Sequence, residues 1–138
     1  MTKNYWGDLS NIEETRNPLD VLKEQSGYLL NATNNIIYST VKQQSGVKSG
    51  VFDAEFGTVF SIRSKKMERY SFEVFTLFHN VTFFPMYAYI DENIAETLNL
   101  GGNRVEIYDE VEFHQFLDDM LGNDHTKNVI ASLYAMSK

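Results

Sequence analysis

The residues best suited to chemistry in this sequence are carboxylates. Asp109, Glu110, Glu112, Asp118 and Asp119 fall within eleven residues, and that window contains no lysine or arginine. Carboxylates held at fixed spacing on a helix form a rigid anionic face. Such a face complements a basic protein surface, including one that normally holds phosphate. The counterpart is Arg63, Lys65, Lys66 and Arg69, four cations within seven residues. Each cluster has two readings: a solvated helix and a solvated hairpin tip, or a pair of patches that steer a protein partner or a second copy of the chain.

Other chemistry finds less support. His79, His114 and His125 are the only histidines. Glu110 and His114 stand at i,i+4, with Asp118 a further turn on. That spacing can hold a metal ion, but it is equally the spacing of ordinary helix-surface pairs. His79, between Phe78 and Asn80, reads as a hydrogen-bonded structural histidine. Asp53 and Glu55 alternate onto one side of a strand, a geometry for acid–base work only if that side is covered. The sequence has no G-x-S-x-G, no H-E-x-x-H and no phosphate-cradling glycine pattern. Gly101-Gly102 precedes a strand rather than a helix and reads as a turn. No cofactor and no metal are expected.

Composition narrows the classes further. The chain has 138 residues, 43% hydrophobic and 22% charged, which suits one ordinary folded domain. Cysteine is absent, so disulfide scaffolds, thiolate nucleophiles and cysteine-ligated metals are excluded. No apolar run approaches the length of a membrane span. The first residues lack the apolar core of a signal peptide, so a cytoplasmic setting is the expectation by elimination. The formal net charge is -7, and it is unevenly placed. Residues 1–69 carry nine basic and eight acidic side chains, a net of +1; residues 70–138 carry three basic and eleven acidic, a net of -8. An acidic chain is repelled by phosphate backbones, which disfavours nucleic acid as a partner. The segment Lys65-Lys66-Met67-Glu68-Arg69-Tyr70 is only a faint basic–aromatic pattern.

These residues need elements to position them. Residues 1–17 read as a polar arm, with Trp6 expected to dock it on a globular domain spanning 18–138. Asn17-Pro18 opens a helix, as a cap followed by proline at the first helical position, and Asn34-Asn35 ends it. Strands are expected over 36–43, 52–63, 69–79 and 81–90, with Pro85 marking an edge or a bulge. Asp91 caps a short helix to Leu98, and 104–108 is a brief fifth strand. Asp109 with Glu112 forms a capping-box-like start to a helix ending at Gly122. A last helix starts at Asp124 or Thr126. The fold class is therefore α+β: an antiparallel meander of four strands with a short fifth, flanked by an N-terminal helix and two or three C-terminal helices.

One pattern stands out. In the third and fourth strands both sides are apolar: Phe72, Val74 and Phe78 oppose Phe75 and Leu77, and Val81, Phe83, Tyr87 and Tyr89 oppose Phe84, Met86, Ala88 and Ile90. Terminal helices covering the second side, a sheet curled on itself, or pairing with another subunit would each explain it. The functional expectation is a non-enzymatic protein-interaction domain (an adaptor, a subunit, or an acidic inhibitor of a basic partner), with homodimerisation through residues 75–89. The alternative is a small-molecule-binding domain or small enzyme with a pocket between sheet and helices, lined by Tyr38, Tyr70, Tyr87, Tyr89 and Asp53.

Overall fold

The computed structural model describes residues 2–10, 16–45 and 54–138. The order is α1 (Pro18–Ala32), β1 (Ile37–Ser45), β2 (Phe56–Ser64), β3 (Met67–His79), β4 (Met86–Ile90), α2 (Glu92–Thr97), β5 (Arg104–Ile107), α3 (Glu110–Gly122) and α4 (Asp124–Met136). The strands form one antiparallel meander in the order β1-β2-β3-β4-β5, which is the expected α+β fold with its short fifth strand.

Capping chemistry sets the helix limits. The Asn17 side chain accepts from the Leu19 N–H at 2.9 Å, with Pro18 just inside the helix. Asn34 and Asn35 leave α1 with φ of 52° and 62°, a left-handed conformation that asparagine tolerates better than most residues. Asp91 accepts from Ile94 N–H, and Asp109 from Glu112 N–H. The Glu112 carboxylate accepts in return from the Tyr108 N–H at 3.3 Å. α4 begins at Asp124, one of the two expected starts. Asn123 is its cap, accepting from Thr126 N–H at 2.9 Å while its amide donates to the Met120 and Asp119 carbonyls. One side chain thus closes α3 and opens α4.

The two-sided apolarity has a backbone cause. Phe60 pairs with Phe75, but the next residue, Ser61, pairs with Glu73, so Val74 is an extra residue in β3. Such a bulge reverses the alternation. Phe72, Phe75 and Leu77 therefore face the same core, with Phe60 stacked on Phe75 at 5.1 Å and Phe116 tilted on it at 5.0 Å. The displaced Val74 is itself fully buried, and its carbonyl accepts from Asp91 N–H. Across the sheet, Phe78 lies on the other face, buried edge-on against Tyr89 at 5.6 Å. Of the three explanations, cover of this second face by the terminal helices is not the one seen: the helices share one core on the first face.

Strand limits also move. Residues 80–85 are a turn with a cis Phe84–Pro85 bond, and Phe83 has a φ of 66°, so Val81, Phe83 and Phe84 are not strand residues. Pro85 stands immediately before β4, where its missing N–H disturbs no ladder, and β4 is interior rather than an edge. β2 begins at Phe56, so Glu55 precedes it; Asp53 lies outside the described residues.

Candidate interaction surfaces

The acidic face is built on α3. Phe113, Phe116, Leu117 and Met120 anchor its inner side in the core. Glu110, Asp118 and Asp119 are exposed on the outer side, and Asp109 is the exposed cap. Asp109, Glu110 and Glu112 sit where the helix macrodipole favours negative charge. Asp118 and Asp119 do not: they lie near the C-terminal end, where it disfavours negative charge, and the last turn has no basic residue. Among the described residues no lysine or arginine pairs with any α3 carboxylate. Asp119 accepts only a neutral bond from the Gln115 amide at 3.0 Å.

The basic cluster divides. Arg63 donates from Nη2 to the Glu68 carbonyl at 2.7 Å and so clamps the β2–β3 turn. Lys65, Lys66 and Arg69 remain exposed around that turn. The turn is fastened to the body by backbone and hydroxyl contacts: Lys65 N–H donates to the Ile36 carbonyl, and the Ser64 and Ser137 hydroxyls meet at 2.6 Å.

The histidines take separate places. His79 is buried between Phe56 and Phe83, and its Nδ1 donates to the Asn80 carbonyl at 2.8 Å, as a structural histidine should. His114 and Glu110 approach to 3.6 Å on the surface of α3. His125 lies 3.7 Å from Asp91 and edge-on to Phe72, tying α4 to the cap of α2. That pair joins residues far apart in the chain, and no local pattern announces it. Among the described residues no three metal-ligating side chains gather.

A groove of about 260 Å³ lies between the sheet and the helices, lined by Gln25, Tyr28, Leu29, Ser39, Phe60, Ile62, Leu121, Thr126 and Ile130. Its position matches the expected pocket, but its lining does not. Tyr38, Tyr87 and Tyr89 alternate onto the opposite sheet face, Tyr70 lies near the far end of α4, and Asp53 is outside the described residues. The arm also departs from expectation. Its described part is held by local turns, with Asn4 and Asp8 side chains accepting from Trp6 and Ser10 N–H, and Trp6 is 82% exposed rather than docked.

The sheet ends in two edges, β1 and β5. β3 and β4 are flanked on both sides, so strand pairing with another subunit through residues 75–89 is not available. On β1, Ile37 donates its N–H to the Thr33 hydroxyl at 2.9 Å, and that hydroxyl also approaches the Ile37 carbonyl at 3.1 Å. Ile37 therefore points its backbone groups away from β2. By strand alternation Ser39, Val41 and Gln43 do the same. Among the described residues these three outward-facing positions have no backbone partner. No helix is long and apolar enough to cross a membrane among the described residues. Comparison with family models, curated proteins and solved structures gave no match.

Proposed function

We propose that this chain is a non-enzymatic, cytoplasmic protein-interaction domain, an adaptor, subunit or acidic inhibitor, whose outer α3 face captures a basic protein surface. One observation carries the reading. Asp119 stands in the last turn of α3, at the wrong end of the helix dipole, with Asp118 just before it; among the described residues no cation pairs with either, at a cost of roughly 0.3–1 kcal/mol for Asp119 and less for Asp118 at low ionic strength. A stabilising lysine or a neutral residue fits the same exposed positions. Carboxylates kept there against local stability are accounted for by a partner that neutralises them.

The test is affinity capture of the tagged protein from nuclease-treated lysate of its source, comparing wild type with Asp118→Asn/Asp119→Asn. The reading expects a basic protein whose capture falls with salt and falls again in the variant, while the thermal midpoint holds or rises. Equal capture by both proteins at all salt concentrations overturns it.

The groove over β1 and β2 supports the second reading, a small-molecule-binding domain. Its volume lies just under the roughly 300–1,000 Å³ of ordinary ligand sites, so a small apolar ligand is the class it suits. A thermal-shift screen tests this directly, and absence of any stabilising compound across broad metabolite classes overturns it.

A further inference from the structure

We infer that β1 is a self-pairing edge: two copies of the chain join through antiparallel β1–β1 contact, making one continuous sheet across a two-fold axis. The partner here is a second copy, in keeping with the interaction-domain reading, but the surface is independent of the acidic face of α3. β1 runs nine residues with a regular register against β2 and no bulge, and it contains neither proline nor glycine. Natural sheets blunt such an edge by shortness, charge, proline, bulges or a covering element. Among the described residues the outward backbone of β1 is engaged only at Ile37, whose N–H donates to the Thr33 hydroxyl. Nothing among the described residues pairs the outward N–H and C=O groups of Ser39, Val41 and Gln43.

The strand is complementary to itself in one register. With the two-fold axis at Val41, Val41 pairs with its equivalent and Ser39 pairs with Gln43 of the partner subunit, twice. All three open residues are then satisfied, each pair exchanging both backbone bonds. An axis at Lys42 would set two ammonium groups directly opposite each other, which is destabilising. An axis at Thr40 would set Gln43 opposite Ile37, already held by Thr33, and leave Gln43 open, whereas the Val41 axis sets only the terminal Ser45 opposite Ile37. The Val41 register instead places Thr40 beside Lys42 of the partner subunit, an uncharged neighbour.

Charge distribution favours a second copy over a strongly charged partner. β1 carries one charge, Lys42, and the half of the chain that contains it has a net of +1, against -8 for the other half. Joining through β1 brings the near-neutral halves together. The acidic α3 is associated with β5, at the opposite edge of the sheet, so the acidic parts of the two copies stay apart.

Sedimentation equilibrium of the full chain over a wide concentration range tests the inference, with three variants. Thr40→Lys places like charges against Lys42 of the partner subunit twice and should weaken the dimer on the order of tenfold; Thr40→Glu places opposite charges there and should strengthen it by a similar factor. Gln43→Pro removes an outward N–H that β2 does not use, so it should weaken the dimer while circular dichroism stays unchanged. Hydrogen exchange adds a readout that needs no variant: the Ser39, Val41 and Gln43 amides should gain protection as concentration rises, while those of Thr40 and Lys42 stay protected throughout. A wild type that remains monomeric at millimolar concentration overturns the inference, as does a dimer indifferent to both Thr40 substitutions. Neither result bears on capture by α3, which the Asp118/Asp119 variant reads separately.

Discussion

The two edges of the sheet are built on opposite principles. β5 has four residues, Arg104–Ile107, and places Arg104 and Glu106 on the sheet face away from the core. The Tyr108 hydroxyl donates to the Glu106 carboxylate, so one of those charges is also engaged locally. β1 has nine residues, a single charge and a run of outward backbone groups with no partner among the described residues. Shortness and charge protect β5 from pairing; among the described residues only the Thr33 hydroxyl engages the outward backbone of β1, at its first residue. The difference teaches where to look for association. Among the described residues, the edge on the near-neutral side of this molecule lacks the guards that natural sheets normally use, while the edge on the acidic side has them.

The comparison depends on a common platform, and the largest expected effect comes from removing it. Phe75 stacks on Phe60 and touches Phe116 in the middle of the core. Phe75→Ala should cost about 3–5 kcal/mol, read as a fall in the denaturant midpoint. It should erase both edges together, and a loss below about 1 kcal/mol would show that the two halves of the sheet stand independently.

Thr33→Val sharpens the contrast by acting on β1 alone. It deprives the Ile37 N–H of its acceptor and the Leu29 carbonyl of a donor, at a cost of about 1–3 kcal/mol in thermal or chemical unfolding. Exchange of the Ile37 amide should accelerate while the β5 amides do not change. Uniform acceleration across the sheet would mean that Thr33 supports the whole fold rather than one edge.

Asp118→Lys acts on the helix beside β5. Replacing a misplaced anion with a cation should raise stability by about 0.3–1 kcal/mol, an effect that shrinks with added salt. The same change should abolish capture of a basic partner. Opposite signs for stability and capture support the proposed function, whereas loss of both would show that Asp118 is structural.

The smallest effect is electrostatic. The Tyr108 hydroxyl is held above the usual tyrosine range, first by its hydrogen bond to the Glu106 carboxylate and then by burial and nearby charge. A raised pKa means that the folded chain holds this proton more tightly than the unfolded chain. The associated stability is complete below the ordinary tyrosine pKa of about 10 and is lost as pH rises through the higher folded value. Spectrophotometric titration should show a late-ionising tyrosine, and Glu106→Gln should return it to the ordinary range. No change in that variant would detach Tyr108 from Glu106 and leave β5 protected by shortness and charge alone.

Much of this architecture is legible in the residues because its causes are local. Asn17-Pro18, Asp91 and Asp109 with Glu112 cap the helices as their types require, and the alternation in Phe56–Ser64 reports a strand with one buried face. The acidic face of α3 is equally plain, since helical spacing alone places Asp118 opposite the Phe113 and Phe116 anchors. Other features resist such reading. The apolar stretch at residues 72–90 suggests two buried faces because one extra residue, Val74, shifts the alternation without leaving any mark in composition. The turn at Val81–Pro85 likewise imitates a strand because its aromatic residues have high strand propensity, while its backbone is shaped by Phe83 and the cis bond before Pro85.

By itself, then, the sequence determined the α+β class, the order of elements, the helix caps and the asymmetry of charge, all of which depend on neighbours a few residues apart. Only the tertiary structure decided which strands became edges, how the Val74 bulge reunited Phe72 with Phe75, and that Thr33 stoppers one end of β1 while Ser39, Val41 and Gln43 meet no backbone partner among the described residues. Those features depend on strand neighbours and register across the sheet. The free energies that set them come from contacts between residues distant in the chain, which no local pattern records.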